Sequence, residues 1–437
     1  MVPPGRFGLL LAAGLLLGGG SRPVRAQEAA LPLTLEELYR QLETANPRLS
    51  ASRAGSRAAA LRIAPARALP DPQIQLGLMN RNLSGLGLQD PLGMNQIQVM
   101  QMVPFPGKLG AAGRAATARA DASTARTDDL RWELRAQAAM TFYDIYTVDR
   151  SISVATQSQA LLRDIAATAQ SMYSVGEGPQ ANVLRAQVEV SRMTEELLRM
   201  QTMRETMVAG LNTLLDRAPD SPIGAPALPN FPKELPPLDS LIAQALTGRP
   251  MLEAGKRDVQ AADANRTLAQ REIWPDLQLG AIYGQRPMAG GGTDRMVSFM
   301  LGFSLPIFAG SRQLPMRREA DAMREMARAD LGAMVADTRG RVGVLYSELR
   351  RARSLRALYE TDLLPQTQAA VTASLGAYRV GEVNLMTLLD AQMTVYRYQQ
   401  ESYQLEAAEG KAWAELEMLL GSALLEVDQS ADAARPQ

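Results

Sequence analysis

Neither histidine nor cysteine occurs in this chain. That removes the commonest general base, the commonest metal ligand and every thiolate nucleophile. A carboxylate pair or a Ser/Lys arrangement would have to carry any catalysis, and no paired carboxylates stand out at a spacing that suggests a cleft. Gly107-Lys108 lacks the upstream glycine of a phosphate-binding loop, and Gly85-x-Gly87 is an isolated loop fragment. No enzyme and no cofactor is therefore expected. Methionine is the one soft donor present in quantity, with 22 residues. Met79, Met94, Met100 and Met102 lie in or beside one predicted hairpin. Thioether sulfur suits soft cations such as Cu(I), but it also fills irregular apolar gaps and faces lipid, which is the stronger reading from sequence. Basic and acidic residues number 46 each, which leaves no electrostatic footprint for nucleic acid.

Recognition is written instead in two motifs 205 residues apart. Tyr173-Ser-Val-Gly-Glu177 followed by Leu184-Arg-Ala-Gln187 is answered by Tyr378-Arg-Val-Gly-Glu382 followed by Leu389-Asp-Ala-Gln392. Other landmarks recur in the same order. Asn46-Pro47 matches Arg249-Pro250, Pro72–Gly77 matches Pro275–Gly280, Val103-Pro-Phe-Pro106 matches Leu305-Pro-Ile-Phe308, and Leu211–Leu215 matches Leu416–Leu420. The period is far longer than that of a solenoid, so the chain is a duplicated unit and not a repeat array.

The elements that must position these motifs follow from periodicity. Residues 1–26 read as a signal peptide, with Arg6, an apolar run from Phe7 to Leu17 and a small-x-small site ending at Ala26. A first repeat spans 27–217, a Pro-rich linker 218–237 that is expected to run over the surface, a second repeat 238–425, and a tail 426–437. Thr34-Leu-Glu-Glu37 is a capping box that opens a helix expected to fade near Pro65. Period-two alternation places strands near 71–80 and 95–104, and again near 275–285 and 296–306. A turn-rich loop from about 81 to 93 joins the first pair. Each strand pair is followed by a helical hairpin, 107–216 and 311–421. From Arg114 to Val175 there is no glycine or proline. Leu130, Leu134, Ala138, Phe142, Ile145, Val148, Ile152, Ala155, Leu162 and Ile165 keep a coiled-coil-like spacing there. Gly176 and Gly381 mark the turns, and Pro365 breaks the second outgoing helix.

Strands of about ten residues match the reach of a tilted transmembrane β-strand; a soluble β-sandwich fragment is the competing reading. Four strands in one chain cannot close, and an open edge in lipid leaves backbone groups unsatisfied. The expected fold is thus mainly α with a membrane β-barrel part. Its duplicated unit consists of long coiled-coil-like helical hairpins plus two β-hairpins. A homotrimer would close a 12-stranded barrel in outer-membrane lipid, continuous with an α-helical tunnel.

On these features the chain resembles the TolC family of outer-membrane efflux proteins along essentially its whole mature length. The Val103–Lys108 junction resembles the heavy-metal branch of that family (CusC-like and CzcC-like proteins). The resemblance implies an outer-membrane channel of a Gram-negative bacterium extending into the periplasm. It also implies docking to a periplasmic adaptor protein and an inner-membrane efflux pump, with metal cations or drugs as cargo. Tyr173, Val175, Gly176, Leu184 and Gln187, with Tyr378, Val380, Gly381, Leu389 and Gln392, would then form the adaptor-docking tips. Asp390 resembles an aperture aspartate, Thr387 replaces a second one found in some members, and Arg185 could pair with Asp390 to hold the tips shut. No metal-ligand set is expected. The lack of cysteine leaves no lipidation site, so anchoring would rest on the barrel. Rival readings are an exported coiled-coil periplasmic scaffold without channel activity and a constitutively open porin.

Overall fold

The computed structural model describes residues 32–79, 93–288 and 291–425. The expected signal peptide, most of the first turn-rich loop and the C-terminal tail lie outside the described residues. Two passes through one element order make up the rest. The first comprises α1 (Leu35–Ala45), α2 (Pro47–Leu61), α3 (Ile63–Arg67), β1 (Gln73–Met79), β2 (Met94–Val103), α4 (Lys108–Ser174) and α5 (Gln180–Leu214). The second comprises α6 (Leu238–Gly248), α7 (Pro250–Arg271), β3 (Leu277–Pro287), β4 (Thr293–Phe303), α8 (Gln313–Leu358), α9 (Leu364–Arg379) and α10 (Leu385–Leu420).

Thr34 caps α1 as the capping box requires, its hydroxyl accepting from Glu37 N at 3.3 Å. The helix does not continue to Pro65 as expected. It stops at Ala45, because the residue before a proline is pushed out of the helical region and Asn46 sits at ψ 121° ahead of Pro47. The Asn46 side chain then accepts from Leu49 N at 3.0 Å and starts α2. Arg249 repeats this break at ψ 118° ahead of Pro250. Arginine cannot accept a hydrogen bond, so Asp129 of α4 does so from Met251 N at 3.1 Å.

α4 runs unbroken for 67 residues, about 100 Å at 1.5 Å per residue. Its alanine-rich start is buried against α2 and α7, and its later part packs on α5 and α10. The seam positions read from sequence are buried from Leu134 onward, apart from a half-buried Ile152. The matching stretch of the second repeat is interrupted. Residues Tyr359–Leu363 form a π-helical turn, in which Leu364 N donates to Tyr359 O, and Pro365 follows at the start of α9. Proline has no N–H for the regular helical ladder, and the wider turn absorbs the defect.

The linker does not simply cross the surface. Leu33 N donates to Ala225 O at 3.0 Å and Ala227 N to Leu33 O at 2.8 Å. Ile223 is buried, and Leu228, Phe231 and Leu235 pack on the core around Phe142, Tyr143 and Trp413. The linker's apolar residues sit between prolines that spare it the backbone donors a buried loop would leave orphaned.

The strands form one antiparallel sheet in the order β1-β2-β3-β4. Ile74 pairs with Val99, Val99 with Ala281 and Ala281 with Phe299, which fixes the faces across all four strands. β2 and β3 join the two repeats, and both outer edges, β1 and β4, are unpaired.

Candidate functional site

Three places could carry function: the sheet faces, the strand-to-helix junction and the hairpin tips. One sheet face carries Ile74, Leu76 and Leu78 of β1, Ile97 and Val99 of β2, Leu277, Leu279 and Tyr283 of β3, and Val297, Phe299, Leu301 and Phe303 of β4. All are exposed in the protomer, Phe299 at 84%. A continuous apolar face of this size in contact with water would be an aggregation liability; against lipid it is the required wall. The opposite face carries Gln73, Gln75, Gln96, Gln98, Gln278 and Ser298, with Gly77, Gly280, Gly284 and Gly302. Every methionine of the described strands also lies there: Met79, Met94, Met100, Met102, Met296 and Met300. The lipid-facing role favoured for methionine from sequence is therefore overturned by the register.

At the junction Lys108, 4% exposed, opens α4. Its Nζ donates to Asp276 Oδ1 at 2.8 Å and to Trp274 O at 3.1 Å. The same Asp276 oxygen accepts from Phe105 N at 2.7 Å, and Phe105 stacks on Trp274 at 5.3 Å between centroids. Gly107 adopts φ 88°, and a Cβ there would lie 1.6 Å from Arg271 Nη1, whose guanidinium donates to Pro106 O. A polar, cross-repeat lock thus sits where β2 becomes α4. Sequence reading named the Pro-bracketed junction but not its partner, because Asp276 lies in the other repeat and no local spacing links the two.

At the tips the two halves share one backbone. Gly176 is at φ 81° and Gly381 at φ 78°. Gly176 N donates to Tyr173 O and Glu177 N to Met172 O, and Gly381 N to Tyr378 O and Glu382 N to Ala377 O. This is the Schellman pattern, which needs a left-handed residue. Their surroundings differ. Tyr173 is 43% exposed and Tyr378 3%. Leu184 and Gln187 face outward, whereas Leu389 and Gln392 are buried, with Gln392 donating to Ser158 Oγ at 3.2 Å. Val175 and Val380 are exposed in both halves. α10 packs on α4 within the chain, while α5 presents its equivalent face outward. Tyr378, Leu389 and Gln392 are therefore core residues of the protomer, not part of a free surface.

Asp390 and Arg185 are both exposed, and among the described residues no ion pair joins them. They sit on α10 and α5, each of which packs against α4. The pairing of Arg185 with Asp390 is thus not made within the protomer. Thr387 is occupied with Asn384, which caps α10 by accepting from Thr387 N at 2.9 Å.

Comparison with known proteins covers most of the chain. A family model described as outer membrane efflux protein matches residues 38–217 and 241–422. Outer membrane efflux protein BepC of Brucella suis biovar 1 is 25% identical over 390 residues, 88% of this chain and 83% of the relative. Cobalt-zinc-cadmium resistance protein CzcC of Cupriavidus metallidurans is 23% identical over 383 residues, 86% and 87% of the two chains. Among solved structures, the outer membrane protein VceC of Vibrio cholerae superposes with a TM-score of 0.76 at 16% identity, over 89% of this chain and 96% of that one.

Proposed function

The chain belongs to the outer membrane efflux protein family, and from that premise we propose how its parts divide the work of conduction, docking and gating. It is the outer-membrane channel component of a tripartite efflux system, embedded in the outer membrane and extending into the periplasm. Membership brings a trimer, a periplasmic adaptor and an inner-membrane pump. The observation that carries the channel reading is the four-stranded sheet with two unpaired edges and one exposed apolar face. Such a sheet is stable in lipid only when identical edges close on it, and three copies give the expected twelve strands. The helices continue the wall as the periplasmic tunnel.

Each chain is taken as two efflux repeats, 27–217 and 238–425, around the 218–237 linker. We assign adaptor docking to Val175, Gly176, Val380 and Gly381, with Tyr173, Leu184 and Gln187 as the exposed flank of the first tip. Tyr378, Leu389 and Gln392 support the second tip from inside. Three copies of Asp390 would ring the narrow end of the tunnel and attract cations, with Arg185 acting across protomers. Metal cations are the proposed cargo class, by analogy with the relative named for cobalt, zinc and cadmium resistance. Among the described residues no three of His, Cys, Asp and Glu stand close enough to hold an ion.

Planar bilayers test the channel directly. Trimer purified from outer membranes should give stepwise potassium currents, and Asp390→Ala should relieve block by multivalent cations. Currents absent from well-folded trimer would end the channel reading; block unchanged in the variant would end only the role of Asp390. Resistance of a deletion strain to cobalt, zinc and common antibiotics then separates metal cargo from drug cargo.

A further inference from the structure

The inner sheet face holds a feature that conduction alone does not require. Its methionines are segregated, with six on this face and none on the other among the described strand residues. Were methionine here only an apolar filler, the lipid side would be its place, since Leu, Ile, Val and Phe make up most of that side. Two of the six converge. Met100 on β2 and Met300 on β4 are both register partners of Gly280 on the strand between them. A Cβ on Gly280 would lie 3.5 Å from Met300 Cε and 3.7 Å from Met100 Cγ. Both side chains thus lean over the one position without a side chain. Two rows further on, past Ile282, Met94 covers Gly284, its Sδ 3.0 Å from where a Cβ would stand. Gln98 Nε2 donates to Met100 Sδ at 2.7 Å, which fixes one sulfur in the row.

We propose that Met94, Met100 and Met300, spread over Gly280 and Gly284 on the lumen side of the barrel wall, form a weak thioether path for soft monovalent cations. This rests on the barrel reading above, because only in a closed barrel does this face line the pore. Thioether is a neutral, soft donor that favours Cu(I) and Ag(I) over zinc or magnesium. From the row of Gln73 to that of Met296 the other groups are amide, hydroxyl, glycine and the apolar Ile282, with no fixed charge; the Arg286–Asp294 ion pair stands in the next row, level with Met94. Over Gly280 a soft ion would therefore be held by the Met100 and Met300 sulfurs without a charged neighbour, loosely enough to leave, as several weak sites in a row require for passage. Gly284 is part of the device, because a Cβ there would crowd Met94 Sδ at 3.0 Å, whereas one at Gly280 would meet Met100 and Met300 at ordinary contact distance.

Silver ion is a redox-stable probe. Detergent-purified trimer is dialysed to equilibrium with silver nitrate in chloride-free buffer, as wild type, as Met94→Leu/Met100→Leu/Met300→Leu, and as Met323→Leu/Met326→Leu on α8 for comparison. Wild type and the α8 variant should hold silver about tenfold more tightly than the triple variant, with no such difference for zinc ion. Equal silver uptake by wild type and the triple variant overturns the proposal, as does an equal difference for zinc. Should the triple variant not assemble, the single Met100→Leu and Met300→Leu variants are read in the same way. Potassium current through the same wild-type preparation is measured in parallel. Loss of that current counts against the channel, whereas normal current with equal silver uptake counts against the thioether path alone.

Discussion

At the scale of single residues the duplication is a record of two answers to one problem. Asn212 and Glu417 stand at matched positions near the ends of α5 and α10, both buried, and both tie down the segment that follows. Asn212 Nδ2 donates to Ser221 O at 2.9 Å, whereas a Glu417 oxygen accepts from Leu424 N at 2.8 Å and Leu425 N at 2.9 Å. Burial pushes the Glu417 carboxyl above its usual range, only partly opposed by those amides and Arg135. The native state then holds this proton more tightly than the unfolded chain does, so stability falls as pH rises through the window above the ordinary carboxylate value. Glu417→Gln keeps an acceptor for both amides and should flatten that fall in a thermal-melting series from pH 4 to 8. Glu417→Ala orphans both amides and should cost about 2 kcal/mol. Asp216 and Gly421 form another matched pair, at φ 53° and 66°. Only glycine takes that conformation without penalty, so Asp216→Gly should gain about 1 kcal/mol in denaturant melts. Gly421 has no such freedom to change, since a Cβ would lie 2.5 Å from Gly248 O. The match of Asn212 with Glu417 was legible within the landmark Leu211–Leu215 and Leu416–Leu420, but the bonds each makes were not, because buried hydrogen bonds leave no period in a sequence.

At the scale of elements, legibility depended on how local the cause was. The strands, the unbroken α4 and both tip glycines follow from alternation, from the absence of breakers and from a left-handed turn, all read within a few residues. The break at Asn46 was available from Pro47 and was overrun by the helical stripe on either side. The second-tip burial was not available, since Tyr173 and Tyr378 look alike until α10 is seen lying on α4. Changing Gly176 and Gly381 together to valine should distort both tips, at about 1 kcal/mol or more each for a β-branched residue at positive φ. Cross-linking to the adaptor should be lost while the trimer band on a gel persists. The junction behaves differently. Lys108→Met takes the buried cation away from the partly exposed carboxylates of Asp276 and Glu272 and should cost about 2 kcal/mol, seen as trimers that dissociate at lower temperature. Asp276→Asn, which still accepts from Phe105 N, should be milder.

At the scale of the whole molecule, the joint between repeats is a template for the joint between chains. Val103 pairs with Leu277 inside one protomer, and their counterparts in the other repeat are Leu305 and Ile74. Carrying the same register around the barrel brings Phe303 of one chain beside Leu76 of the next. Within a chain these two lie three strand spacings apart, about 14 Å across the sheet, and Leu76 is level with Val297 rather than Phe303, so they are well beyond disulfide reach. With no native cysteine to interfere, Leu76→Cys/Phe303→Cys should oxidise to covalent dimers and trimers, and a product that stays monomeric would refute the closure.

The burial of one tip and the exposure of the other also bears on counting. The turns share a backbone but not an environment, so a ring of six alternates between two kinds of berth and has only threefold rotation. A guest arriving as six identical copies must either tolerate two unlike footholds or arrange itself as three couples, and its own symmetry would drop on binding.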